Sequence, residues 1–251
     1  MTPTDPRLTP ILSVAGLLGL WVFAAFLTAD RSVLPQPWDL WPPLLRELQS
    51  GALFKHLFAT LLRVIWAFGL AMTLGIALGL AMGRMPRLNA WLDPWLVVFL
   101  NLPALVVIVL CYLWIGLNET AAIVAVTLNK VPNVTTVIRE GARALDPALD
   151  DMAHVYRLSW LTRLRHVILP QLGPFIAAAA RSGVAVIWKI VLVVEFLGRS
   201  SGVGFQIHLY FQLFDVAMVL VYAFSFVSVM LAVEWLLLQP WERRVTRWRH
   251  A

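Results

Sequence analysis

Six apolar stretches alternate with short polar segments along the chain, near residues 9–28, 59–82, 93–116, 119–139, 174–197 and 216–238. Each comes close to the ~20 residues that an α-helix needs to cross a hydrocarbon core about 30 Å thick. The pattern predicts an all-α membrane protein of about six transmembrane helices, since a helix satisfies its own backbone polar groups in lipid. The second stretch carries Gly75, Gly79 and Gly83 one helical turn apart, with Ala71 extending the row. Small residues at this spacing let a second helix approach closely. Packing within the chain is the plainer reading of the row; contact with another copy is the alternative.

From Leu34 to Phe58 the pattern changes. Pro35, Pro37, Pro42 and Pro43 punctuate its start. Leu40, Leu44, Leu45 and Leu48 then recur at helical spacing, which predicts an amphipathic helix on the outer interface, a depth that suits Trp38 and Trp41. Ahead of it, the run from Ile11 to Leu27 follows Arg7. It exceeds the apolar region of a secretory signal, about 7–15 residues, and is read as an uncleaved first membrane helix.

Composition agrees with lipid as the solvent. The 251 residues are 60% hydrophobic and only 14% charged, against about 25% charged in an ordinary soluble domain. The net charge is +6, and its distribution speaks to topology and against a nucleic-acid surface. Arg84 and Arg87 fall in one inter-span segment, Arg139, Arg143, Arg157, Arg163 and Arg165 in another, and Arg243, Arg244, Arg247 and Arg249 in the tail. The opposite loops hold Arg31, Arg46, Lys55 and Arg199, with Arg63 near a helix start. The positive-inside rule therefore predicts both termini in the cytoplasm. The one cysteine, Cys111, lies in an apolar run and gives no disulfide, metal or redox signal.

The stretch from Arg143 to Pro174 is too polar for lipid and too patterned for a linker. Asp146-Pro147 is a helix start, with Asp as cap and Pro at the first helical position. Residues 148–157 form a helix on this reading, Leu158-Ser159 breaks it, and Ser159 caps a second short helix through Val167 that ends at Pro170. The residues alone leave two readings open: an ordinary solvated loop helix, or a knob with a charged rim for a cytoplasmic partner.

Asp151-Met152-Ala153, Arg157 and Val167-Ile168-Leu169-Pro170 resemble the EAA loop of ABC importer permeases, a pattern of Glu-Ala-Ala, three residues, Gly, nine residues, Ile, one residue and Leu-Pro. The spacing matches; Asp151 stands for Glu, Met152 for the first Ala, Val167 for Ile and Arg157 for Gly. A turn needing positive φ accommodates Arg poorly, so this departure implies a differently bent loop or an unusual partner contact. The resemblance extends along most of the chain, to the subfamily that imports nitrate, sulfonates, taurine or bicarbonate. It includes Leu34-Pro35-Gln36-Pro37, Leu61-Leu62-Arg63-Val64, the glycine row, Asp146-Pro147 and Val155-Tyr156-Arg157-Leu158-Ser159. Near the end of the fifth span, Trp188, Glu195, Leu197-Gly198, Ser200-Ser201-Gly202 and Gly204 are also similar.

The resemblance implies a type I permease fold, with residues 1–58 as first helix and outer segment and 59–251 as a core domain carrying a coupling loop at 141–173. It implies a bacterial inner-membrane subunit, paired with a second permease subunit, most simply as a homodimer. It also implies two cytoplasmic ATPases that hold ATP and Mg, and an external binding protein that delivers solute. The coupling contacts would come from Asp150, Asp151, Met152, Ala153, His154, Val155, Tyr156, Arg157, Leu158 and Ser159. The chain itself lacks a phosphate-binding loop, a His-Glu-x-x-His motif and a Gly-x-Ser-x-Gly elbow, so no cofactor and no catalytic residue are expected on it.

Ionisable groups inside a membrane usually face protein or water. Lys130, Arg181, Lys189 and Glu195 are the candidates, with Asn129 and Asn133 beside Lys130; Asn101 near Pro103 reads equally as a local break lining the pore or as a simple packing kink. Two cations near the midplane suit an anionic solute; mutual pairing of Lys189 and Glu195 is the alternative. Two other functions stay in view: a structural or assembly subunit that moves nothing, and a membrane-embedded enzyme, for which His154, His166 and Asp151 lack metal-ligand spacing.

Overall fold

The computed structural model describes residues 8–28 and 30–240. They form α1 (Leu8–Thr28), a 3-10 turn (Pro37–Leu40), α2 (Trp41–Gln49), α3 (Ala52–Arg84), α4 (Pro86–Asn101), α5 (Ala104–Ile115), α6 (Glu119–Arg143), α7 (Pro147–Val155), α8 (Trp160–Arg163), a π-helical segment (Leu164–Ile168), α9 (Leu169–Gly198), α10 (Val203–Gln212), α11 (Val216–Val233) and a second π-helical segment (Glu234–Leu238). Four helical stretches are long and apolar enough to span a bilayer: Ala52–Arg84, Glu119–Arg143, Trp160–Gly198 and Val216–Leu236. The third predicted span is broken. α4 and α5 meet at 99°, because Leu102 precedes Pro103 and is held extended (ψ 126°). α1 supplies the remaining apolar helix, with Leu12–Thr28 among the shorter ones. The tail arginines Arg243, Arg244, Arg247 and Arg249, and Arg7, lie outside the described residues.

The glycine row packs within the chain. A Cβ on Gly75 would lie 2.5 Å from Val134 Cβ, one on Gly79 2.6 Å from the Thr135 carbonyl oxygen, and one on Gly83 2.5 Å from Ala142 Cβ. α3 and α6 therefore meet backbone to backbone along their length, and α9 closes the core against both.

Two sequence boundaries move. α3 begins at Ala52, well before residue 59, and runs through the expected division at 58/59. The segment ahead of it is strapped to the core: the Trp21 indole donates to the Pro35 carbonyl (3.1 Å), the Tyr222 hydroxyl to Glu47 (2.5 Å), and Leu44 and Leu48 pack with Leu53, Tyr222 and Phe226. At the other end of the core, Pro170 does not end a helix. α8, the π-helical segment and α9 run on as one stretch from Trp160 to Gly198. The wider π turn just before Pro170, where Leu169 N–H reaches the Leu164 carbonyl, absorbs the missing donor and the ring that would break a regular helix.

Candidate functional site

Polar chemistry collects at two ends of the bundle. At the loop end, Asp146 caps α7 by accepting from Ala148 N (2.9 Å), and Ser159 caps α8 by accepting from Thr162 N (3.3 Å). α7 closes with a Schellman motif: Leu158 N donates to the Ala153 carbonyl and Arg157 N to that of His154, both at 3.0 Å. The residue that must turn left-handed is Arg157, at φ 48°. Arg157 thus takes a left-handed position that favours glycine, at a strain on the order of 1 kcal/mol.

Asp150 fixes the loop to the bundle. Its carboxylate takes Arg84 from the end of α3 and a two-point contact with Arg163 (2.7 and 3.1 Å). Burial pushes this carboxyl up, but the Arg163 and Arg84 guanidiniums outweigh it and hold the group below its usual range. Of the residues expected to meet a partner, Ala153 is buried at 2% exposed, and Asp150, partly exposed, is engaged by two arginines of its own chain. The outward face is apolar. Val155, Tyr156, Trp160 and Leu161 are all exposed, Tyr156 at 73% and Trp160 at 62%, with Met152 less so. Asp151, His154, Arg157 and Ser159 lie exposed around them, and Leu158 is half-buried. Trp160 and Leu161 were not among the expected contact residues, since the spacing that marked α7 said nothing of which way α8 faces.

At the opposite end, Glu195 is 0% exposed and fully engaged. It accepts from Arg63 (2.5 Å), Thr60 (2.9 Å) and Gly204 N (2.9 Å). Arg63 also grips Glu119 at two points (2.8 and 2.6 Å) and the carbonyl and hydroxyl of Ser201 (both 2.7 Å). Arg199 completes the set on Glu119 (2.5 Å) and on the Leu117 carbonyl (2.9 Å). Two guanidiniums face two carboxylates, so the cluster is neutral within itself. The turn after α9 is built around it. Gly202, at φ 112°, leaves room where a Cβ would fall 2.3 Å from the Glu195 carboxyl, and its N–H donates to His56 Nδ1 (3.1 Å). The other ring nitrogen of His56 therefore carries the proton, and the adjoining Gln206 amide (2.7 Å) accepts it once turned oxygen-first.

Glu195, expected along an open path, belongs instead to this clasp of α3, α6, α9 and the following turn. It pairs with Arg63 and not with Lys189. Arg63 and Glu119 went unrecognised because Arg63 was placed near a helix start, whereas α3 begins eleven residues before it. A lone arginine inside an apolar run with Thr60 one turn away was the available signal.

The remaining candidates separate by burial. Lys130 is 3% exposed, with its Cε 3.3 Å from where a Cβ on Gly183 would lie, and no carboxylate of the described residues lies within ion-pair distance of it. Thr127, one turn earlier, has a buried hydroxyl without a partner. Lys189 is exposed on this single chain, its Nζ 5.6 Å from the Trp188 ring centre. Asn101, Asn129 and Asn133 each donate to the carbonyl four residues back, of Val97, Ala125 and Asn129. Arg181 lines a cavity of about 460 Å³ between α9 and α11 with Ser182, Trp188 and Glu234; neither Lys130 nor Lys189 reaches it. Among the described residues no group of His, Cys, Asp and Glu could hold a metal ion.

A family model described as "Binding-protein-dependent transport system inner membrane component" matches residues 71–239. The chain is 30% identical over 198 residues to a Bacillus subtilis (strain 168) protein named as an aliphatic sulfonates transport permease, covering 78% of this chain and 72% of that one. It is 27% identical to the taurine transport system permease protein of Escherichia coli (strain K12), covering 91% and 84%. In three dimensions it is similar to a chain of the inward-facing MetNI methionine ABC transporter, with a TM-score of 0.62 over 80% of this chain and 97% of that one at 15% identity, a likeness of fold.

Proposed function

The chain belongs to the family of binding-protein-dependent transport system inner membrane components, and from that premise we propose that it forms half of a membrane pathway for a small organic or inorganic anion of the sulfonate type. As a permease subunit of an ABC importer it is not itself an enzyme. ATP and Mg belong to a separate cytoplasmic ATPase pair, a second copy of this chain completes the pathway, and an external binding protein delivers the solute. Both termini then face the cytoplasm, as does the loop carrying α7 and α8. ATP-driven closure of the ATPases draws the two loops together, and the helices rock so that the path opens outward; hydrolysis resets it.

The observation that carries the anion reading is Lys130. A buried ammonium with no carboxylate beside it is costly in a low-dielectric interior, and an anion in transit offsets that cost. Lys130 lies eleven residues into α6 and Lys189 nine residues before the end of α9, so both sit ~14–17 Å from the same end of the bundle, near the middle of a core about 30 Å thick. Lys189 faces outward from the single chain, where lipid would be a poor solvent for it; a second permease subunit and a water-filled path between the two supply the cover. Exposed apolar side chains on α4 and α5, among them Trp95, Val98, Leu105 and Leu113, give such a subunit a surface to meet.

Uptake of a labelled aliphatic sulfonate into vesicles holding the full importer tests this. Lys130→Met should lower uptake about 10- to 100-fold, the worth of one charge-assisted contact, with the complex still assembled, and Lys130→Arg should recover part of it. Normal uptake by both Lys130→Met and Lys189→Met would remove the cations from the pathway.

A further inference from the structure

The outward tip of the coupling loop holds one feature that apolar docking leaves unexplained. Arg157 occupies the left-handed position of the turn that ends α7, at φ 48°, where an L side chain is strained and glycine is not. Its side chain is exposed, and no carboxylate of the described residues lies within 4 Å of it. Of the two acids on α7, Asp150 is committed to Arg84 and Arg163, and Asp151, exposed, makes no ion pair with Arg157. Val155, Tyr156, Trp160 and Leu161 stand exposed around it, so a partner closing on them would strip water from the guanidinium as well. A desolvated guanidinium requires an opposite charge, and its planar fork fits a carboxylate at two points.

We propose that Arg157 sets the partner specificity of the loop by entering a carboxylate-bearing groove on the cytoplasmic ATPase, an ion pair walled by Tyr156 and Trp160. The proposal rests on the reading that this loop docks on an ATPase. It makes Arg157 the polar key of an otherwise apolar contact, excluding grooves that lack the acid.

The test uses the full chain and its own ATPase subunit, with affinity measured across NaCl concentrations and the thermal midpoint of the permease alone as the second readout. Arg157→Gly should raise the midpoint, because the left-handed position is relieved, while weakening ATPase affinity 10- to 100-fold and flattening its salt dependence. Arg157→Lys should recover only part, and Arg157→Glu should bind worst until one acidic groove residue of the ATPase is changed to lysine. If Arg157→Gly binds as the wild type does while Trp160→Ala loses the ATPase, the loop docks and the ion pair is wrong. If neither change matters, the docking reading itself falls. A loss confined to vesicles containing phosphatidylglycerol, with ATPase affinity intact, would assign Arg157 to a lipid phosphate and overturn the proposal.

Discussion

The two ends of the bundle handle charge in opposite ways. Around Glu195 every charged group is matched: Arg63, Arg199, Glu119 and Glu195 form a neutral set that also satisfies the backbone of the turn at 201–204. At the loop, a single carboxylate, Asp150, holds the segment to α3 and α8, and the tip leaves aromatic rings and Arg157 in the open. A charge-matched network with Arg63 and Glu195 buried at its centre fixes one arrangement of helices, because neither can leave without stranding the other. The first end balances its charge within the chain; the second leaves its tip open, which is what the proposed ATPase contact requires.

The largest effect should come from breaking the clasp. Arg63→Met strands Glu195 as an uncompensated buried carboxylate, and stability should fall by about 3–5 kcal/mol, read as thermal unfolding in detergent. The pair Arg63→Met with Glu195→Met should regain much of that loss. If Arg63→Met unfolds at the wild-type temperature, the clasp is no lock. Next comes the loop tip. Trp160→Ala should leave the permease's own midpoint nearly unchanged and cost about 2 kcal/mol, or roughly 30-fold, in ATPase affinity; a matching loss of stability would show that Trp160 belongs to the fold after all.

The smallest effect concerns Asp150. Its folded carboxyl is held below the usual value, so the tether contributes fully above the unfolded pKa of about 3.9 and is lost only as pH falls through the lower folded value. Protection of the loop from protease should therefore be level from pH 8 to pH 5 as far as this carboxyl is concerned. Asp150→Asn at pH 7 should open the loop only a few-fold, an effect of ~1 kcal/mol or less for a partly exposed pair. A large loss of protection on that change would move the loop into the same class as the clasp.

Much of this was legible along the chain. The glycine row announced a close helix contact, and it is the α3–α6 seam. Asp146 and Ser159 announced two caps, and both are made. Pro103 left a break and a packing kink equally open, and the structure has a 99° bend there. Pro170 misled, because a proline reads as a stop until the π-helical turn before it is seen. Glu195 misled for a deeper reason. Its partner Arg63 is 132 positions away, and a carboxylate in an apolar run looks the same whether it faces a water-filled path or an arginine.

The sequence by itself determined the solvent, the spans and the positions of the turns, since these depend on local hydropathy and on the backbone limits of Pro, Gly, Asp and Ser. It also carried the family pattern, down to the arginine in the glycine position. Only the tertiary structure decided which charges cancel one another and which remain open. Arg63, Lys130, Arg157 and Lys189 are alike as cations in a list of residues. One is sealed among carboxylates, one is buried with none in reach, one is exposed at a strained turn and one faces away from its own chain. Those differences come from helices meeting across long stretches of sequence, and electrostatic energy depends on distance and burial in space.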